Sequence, residues 1–458
     1  MTGVQTCALP ISLQQRAADA EDEALKARLY RQSARCPNAS ISTIHAFCAR
    51  VVNRYFHLVG LSPTAATMDE TESPVLRDQA VDQALTDLAT EDAPAYRLLA
   101  RAFGQEDNLK QALDSLDGFL MAQPDPAGWL RQAEADLTSR AAYDQAVAVC
   151  FEEDKGTFEA ALADLVRLRD SYPPAWGNLI SYLDQTIPHG RGALLEKTPE
   201  AYAQALCAVT FGKITWPKDM EQRDRDALEK ARKKVKEEAA NQAKTYGQDG
   251  EKLWQIHLSG ARVLLALTDL WRRQQGIYDG MKRERDRIDF NDLEHFCAKI
   301  LENEEAAAEY RDRFTAIIVD EYQDSNAVQE AILNRIRRPD DLFFVGDVKQ
   351  SIYGFRMAEP GLFLEKLRTF TGAAGSRIDL SHNFRSSPEI LDAVNRVFEK
   401  LMRPGQSPIA YDDTAALRPG MAQPQGGVEL HLIERNADES AENAEELENA
   451  EADRKSVV

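Results

Sequence analysis

Three short segments carry residues whose types and spacing could do chemistry. In AIIVDEYQDSN (316–326) an apolar run ends in Asp320 and Glu321. Paired acids at the carboxyl end of a strand stand where ligands of open α/β folds bind. In nucleotide hydrolysis the first such acid holds Mg2+, usually through water, and the second positions or deprotonates the attacking water. In GDVKQSIYGFRMAEP (346–360), Gly346 and Asp347 make a tight exit from the apolar run Phe343-Phe344-Val345. Gln350 is a neutral donor and acceptor there, Tyr353 and Phe355 flank Gly354, and Arg356 is a fixed cation. Aromatics beside an arginine near a strand end suit stacking on the bases of a single strand, worth about 1–3 kcal/mol per base. In LSHNFRSSPEIL (380–391), Arg385 stands at a strand-to-helix junction from which it could reach a γ-phosphate across a cleft. Each segment alone also has a plainer account: acids ending a strand, aromatics in a core, a surface arginine beside a capped helix.

What must position these residues is an alternation of strands and helices. FTAIIVDE (314–321), DLFFVGD (341–347) and SRIDLSHN (376–383) are strand candidates separated by helical segments, and VELHLIE (428–434) is a fourth. The first two are continuous apolar runs, as expected for strands of a parallel sheet covered on both faces. Ser387 before Pro388 predicts a capped helix start. Residues 13–58 read as helices, ending in STIHAFCARVVNRYF with apolar residues at helical spacing. Residues 59–285 are helix-rich and nearly free of strand signals. Within them RDRDALEKARKKVKEEAAN predicts a helix whose charges form a solvated face, not a DNA patch. The expected fold class is α/β, a parallel sheet with flanking helices, interrupted by a large all-helical insertion.

Composition narrows the class further. With 458 residues the chain is long enough for two or three domains, and no apolar run approaches a membrane-spanning helix. The net charge of −20 argues against a broadly basic nucleic-acid surface, but not against one local basic channel. Part of the acidity lies in NADESAENAEELENAEAD (436–453), which reads as solvated helix or disordered tail. Six cysteines without a C-x-x-C pair give no zinc ribbon and no disulfide framework, so each is expected to be a buried small residue in a reducing cytoplasm.

Taken together and in this order, the three segments resemble motifs II, III and IV of the UvrD-like superfamily 1 helicases. Ser42-Thr43-Ile44-His45-Ala46-Phe47-Cys48 resembles the TxHxFC motif Ib of that family, and RIDFNDLEHF (287–296) its DFDDL element. The long insertion and the wording of GDVKQSIYGFRMAEPGLFLEKLRTF, RIDLSHNFRSSPEILDAVNRVFEKLM and IAYDDTAALRPG are closest to the AddA-type helicase/nuclease subunits, over about residues 35–420. The resemblance implies a P-loop NTPase with a RecA-like core: domain 1A from 13–58 and 286–375, insertion 1B from 59–285, and the start of domain 2A from 376–452. It implies ATP and Mg2+ as cofactors, with Asp320 and Glu321 as metal and water-activating acids and Gln350 and Arg385 contacting the γ-phosphate. Gln323 and Phe384 would contact the nucleotide, Phe384 replacing the commoner tyrosine and stacking on adenine. Thr43, His45, Tyr353, Phe355 and Arg356 would line the DNA track. For His45 alone, a satisfied histidine at a helix end is the simpler reading. The family's activity is 3′→5′ translocation on DNA in double-strand-break repair, in the AddA case beside an AddB-like partner in a heterodimer, with no membrane involved.

The chain departs from the family at its ends. No G-x-x-x-x-G-K-[ST] occurs; in the nearest approach, around Gly212-Lys213, Cys207 stands where the first glycine should be. That motif supplies the phosphate cradle, so the chain is not expected to hydrolyse ATP alone. The motif is expected upstream of residue 13, and motifs V and VI and the nuclease domain beyond residue 430. MTGVQTCALPIS (1–12) and DRKSVV (453–458) resemble translated short-read sequencing adapters and are expected to be non-biological, framing a gene fragment. The competing readings are another UvrD- or RecB-like helicase, or an ATPase-dead DNA-binding assembly subunit. The latter predicts decay of Asp320, Glu321, Gln350 and Arg385, which are all intact.

Overall fold

The computed structural model describes residues 13–35, 40–69, 71–354, 357–370, 372, 375–402, 407, 409, 411–412, 415–420 and 427–429. Both adapter-like ends and the acidic tail lie outside them. The chain forms two compact units, Met1–Glu365 and Lys366–Val458. The expected boundary at 375/376 falls inside the second, and the helical stretch does not separate as a unit of its own.

The first unit begins with α1 (Glu23–Arg35) and α2 (Ile44–Tyr55). Thr43 caps α2, its hydroxyl accepting from Ala46 N at 3.2 Å. Cys48, Val51 and Val52 on one face of α2 are buried. After the short strand β1 (Ala66–Thr67) come α3 (Glu72–Glu91), α4 (Ala93–Phe103), α5 (Glu106–Met121) and α6 (Pro126–Thr138). Next are α7 (Arg140–Ser171), α8 (Gly177–Leu194), α9 (Pro199–Cys207), α10 (Gln222–Tyr246) and the 35-residue α11 (Gly250–Glu284). At 1.5 Å per residue α11 is about 50 Å long. Two cores result. Leu88, Leu99, Leu113, Leu120, Leu270 and Trp271 join α3–α6 to α11. Phe158, Leu165, Leu183, Tyr202, Leu228 and Val235 join α7–α10. As expected, α10 is a helix with a solvated charged face; it buries a stripe from Leu228 through Ala231, Val235 and Ala239 to Tyr246.

The chain leaves α11 through Asp286, whose φ of 57° is left-handed, into strand β2 (Arg287–Ile288). β2 pairs in parallel with β1, Ala66 opposite Arg287 and Thr67 opposite Ile288, so the two ends of the helical stretch are pinned together. Neither strand is anticipated by the sequence, since two residues carry no period. Helices α12 (Phe290–Ile300) and α13 (Glu304–Arg313) follow, then β3 (Ile317–Val319), α14 (Ala327–Ile336) and β4 (Leu342–Phe344). They build a third core with α2, centred on Cys48, Val51, Leu293, Cys297, Tyr310, Val328 and Ile332. α15 (Pro360–Thr369) closes this part of the chain.

β3 and β4 are parallel, with Ile317, Ile318 and Val319 opposite Leu342, Phe343 and Phe344. They are shorter than the apolar runs that predict them. The expectation of a sheet covered on both faces is not met: Ile317 packs on the core, but Ile318 and Phe343 are 70% and 52% exposed. Successive residues of a strand point to opposite faces, and here one face has no layer over it among the described residues.

In the second unit β5 (His382–Asn383) pairs in parallel with β6 (Arg418–Pro419), and α16 (Pro388–Leu401) lies between them in sequence. Only the last two residues of the predicted strand 376–383 join a ladder. Val428 and Glu429 form no strand, and the rest of VELHLIE lies outside the described residues. Ser387 occupies the N-cap position but makes no side-chain cap bond. Cysteine burial is split: Cys48 and Cys297 are buried as expected, whereas Cys150 and Cys207 are exposed on their helices. Cys7 and Cys36 lie outside the described residues.

Candidate functional site

The acidic segment turns sharply out of β3. Asp320 and Glu321 are both exposed at the carboxyl end of the strand. Glu321 takes a left-handed backbone, φ 52° and ψ 39°, and its amide is donated to Asp320 Oδ1 at 3.1 Å. Such a conformation in a non-glycine residue is sparsely populated and must be held by its surroundings. Two neighbours hold it. Tyr322 is fully buried, its ring centroid 4.1 Å from that of Phe344, and its hydroxyl donates to Glu330. Burial and the Glu330 contact push its phenol well above the usual range. Gln323, 1% exposed, donates from Nε2 to Glu321 Oε2 at 2.8 Å.

Gln323 also reaches the segment after β4. Its Oε1 accepts the Asp347 amide at 3.1 Å, and its backbone carbonyl accepts Ser351 Oγ at 3.3 Å. Gly346 sits against it: a Cβ there would lie 2.5 Å from Gln323 Oε1. Asp347 caps a short 3-10 turn (Val348–Gln350). Its carboxylate accepts from Lys349 Nζ at 2.9 Å and from Gln350 Nε2 at 3.2 Å. Burial pushes the Asp347 carboxyl up, but the Lys349 and Gln350 hydrogen bonds outweigh it and hold it below the usual range. The structure thus brings Asp320, Glu321, Gln323 and the Gln350 turn to one edge of the β3–β4 pair. Tyr353 is 38% exposed farther along the same segment; Phe355 and Arg356 lie outside the described residues.

Two exposed carboxylates with room for water fit a hydrated Mg2+, which takes one or two protein carboxylates and completes its shell with water and substrate phosphates. Among the described residues no group of three or more His, Cys, Asp or Glu could hold a metal alone.

Thr43 and His45 stand at the start of α2. Thr43 is exposed. His45 Nε2 lies 3.2 Å from Glu294 Oε1, and its ring meets Phe290 edge-on at 5.4 Å. Glu294 is one functional candidate that sequence reasoning missed. It follows the DFNDL element directly, but only packing reveals its partners. The two acids of that element are structural: Asp289 and Asp292 form a reciprocal capping box at α12, at 2.8 and 2.9 Å. Lys282 donates to both oxygens of Asp292 at 2.8 Å, and Tyr278 OH donates to Asp289 at 3.0 Å.

In the second unit, Asn383 Oδ1 accepts the amides of Arg385 and Ser386, both at 2.9 Å, and so shapes the loop that presents Arg385. Phe384 is 61% exposed. Its ring lies over Gly420, where a Cβ would come within 2.5 Å of it. Asn395 ties α16 to the chain before β6, bonding Leu417 through both its backbone groups at 2.9 Å.

A strand-end acid pair tied to a second strand-end turn is the arrangement of a nucleotide-hydrolase edge. Residues 9–371 match the UvrD/REP helicase N-terminal domain, and the chain belongs to that family. Membership carries a P-loop NTPase fold with it. Among curated proteins, three relatives are each named as the AddA component of an ATP-dependent helicase/nuclease. The protein of Alkaliphilus oremlandii is 34% identical over 446 residues, covering 92% of this chain and 36% of its own length. That of Geobacillus kaustophilus is 32% identical over 461 residues, covering 92% and 37%. That of Desulforudis audaxviator is 36% identical over 437 residues, covering 87% and 35%. The chain therefore spans about a third of the length of the relatives it matches. No helix among the described residues is long and apolar enough to cross a membrane.

Proposed function

We propose that this chain carries part of the motor of an AddA-type ATP-dependent DNA helicase/nuclease, built on a RecA-like core. The single observation that supports this best is Gln323, which joins the acidic segment after β3 to the turn after β4. Asp320 and Glu321 would hold Mg2+, which when bound neutralises phosphate charge. Glu321, fixed by Gln323, orients the attacking water. Gln350, held within reach of the same edge by Asp347, reads the γ-phosphate. Arg385 and Phe384 would meet the nucleotide from the second RecA-like domain, through its phosphate and its base. Thr43, His45 and Tyr353, with Phe355 and Arg356, would follow single-stranded DNA.

The whole protein would translocate 3′→5′ in double-strand-break repair beside an AddB-like partner. This chain lacks G-x-x-x-x-G-K-[ST], so alone it is expected to bind DNA without hydrolysing ATP. Anisotropy titrations with single-stranded and duplex oligonucleotides, paired with an ATP turnover assay, test this. The expected outcome is preferential single-strand binding and no DNA-stimulated turnover. Turnover at ordinary helicase rates would contradict the dependence on the cradle motif; equal neglect of both DNA forms would contradict the DNA track.

A further inference from the structure

Glu294 lies where three segments meet. Its carboxylate is 5% exposed. Oε1 lies 3.2 Å from His45 Nε2 on α2 and accepts from Gln329 Nε2 at 2.8 Å. Oε2 accepts from Asn326 Nδ2 at 3.2 Å. Asn326 in turn caps α14, its Oδ1 accepting Gln329 N at 2.9 Å. It is the residue that ends the acidic segment 316–326. Ser325 beside it accepts the amide of Glu359 at 2.9 Å, so the chain beyond the aromatic segment is anchored at the same place.

A buried carboxylate must be compensated by its partners, and losing one leaves an under-satisfied charge. The three donors of Glu294 are therefore linked. If His45 turns toward a nucleic-acid phosphate, the balance at Oε1 changes, and Asn326 and Gln329 are the groups left to restore it. Both belong to the start of α14, directly after Asp320 and Glu321. We propose that Glu294 is a positioning residue that couples the candidate DNA contact at His45 to the acidic loop 320–326. This rests on reading His45 as a DNA contact.

Hydrogen exchange of amides 320–326, with and without a single-stranded oligothymidylate, reads the coupling in the full chain. In the unsubstituted protein DNA is expected to slow exchange across the loop. Glu294→Gln keeps the shape but removes the charge. It should abolish that protection and weaken DNA binding about tenfold, the effect of losing one charge-assisted contact. Adding His45→Gln to Glu294→Gln should weaken binding by less than about twofold more, because interacting groups do not add. If Glu294→Gln fails to fold, His45→Gln alone carries the test: it must still bind through Thr43 and Tyr353 yet lose the loop protection. Protection that survives in either folded variant, or additive losses in the double variant, would overturn the coupling. DNA binding with no loop protection in the unsubstituted chain would do the same while leaving the DNA reading intact. Indifference of binding to His45→Gln would instead remove the DNA reading on which the coupling rests.

Discussion

Gln323 touches both halves of the candidate nucleotide edge with one buried amide, its Nε2 on Glu321 and its Oε1 on the Asp347 N–H. Removing it leaves a buried amide without a partner, so Gln323→Ala is expected to cost about 1–3 kcal/mol in urea unfolding. Gly346→Ala should cost a comparable amount, because its Cβ would press on a side chain that has no free rotamer. The two should be coupled: in the Gln323→Ala background the Gly346→Ala penalty should largely vanish, and additive penalties would show that they do not meet. Asp117 offers a test by pH. It is fully buried on α5 and accepts from Arg77, from Gln275 and from Trp271 Nε1, the last at 2.9 Å. Burial holds its carboxyl above the usual range against the opposing pull of Arg77 and the Trp271 hydrogen bond. The folded state then holds that proton more tightly than the unfolded chain. The resulting stability is complete below the ordinary carboxylate value and is lost as pH rises through the folded one. The stability of the unsubstituted chain relative to Asp117→Asn should therefore fall from about pH 4 toward neutrality, and a rise would contradict the assignment. Asp320, Glu321 and Gln350 are legible in sequence because strand-end chemistry is local. Glu294 and Asp117 are not, because a buried charge acquires its meaning from partners far along the chain.

The elements repeat that contrast. β3 and β4 are readable because each is a run of apolar residues ending in an acid, and most insertion helices are readable because their apolar stripes keep the helical period. β1 and β2 are too short to leave a pattern, yet they pin the ends of the helical stretch. Coverage of the sheet is not readable at all: a continuous apolar strand says that both faces suit burial, not that a layer is present. Ile318 and Phe343 lie exposed on opposite strands of the same pair. Such a patch beside open strand edges favours self-association. Ile318→Thr with Phe343→Thr should lower light scattering and dye binding while changing stability by less than about 0.5 kcal/mol per site. A large loss of stability would mean that these side chains are covered in solution.

At the scale of the whole molecule, an acidic chain must bind DNA through a local surface. The net charge is −20, but α2 and its neighbours gather Arg50, Asn53, Arg54 and Arg313 beside Phe47 and Phe314 around a cavity of about 350 Å³. Long-range repulsion then opposes binding at low salt less where cations cluster, and counterion release makes the affinity fall as salt rises. The central claim is that the segments at Thr43, His45 and Tyr353 form one track for a single strand. Its most direct test is the affinity of the full chain for a single-stranded oligonucleotide, measured for the unsubstituted protein and for Thr43→Ala, His45→Ala and Tyr353→Ala at fixed salt. Tyr353→Ala should weaken binding roughly five- to hundredfold, the range expected for one stacked base. The two α2 variants should each weaken it about three- to tenfold through lost backbone contacts. Folded variants that all bind as tightly as the unsubstituted chain would contradict the account.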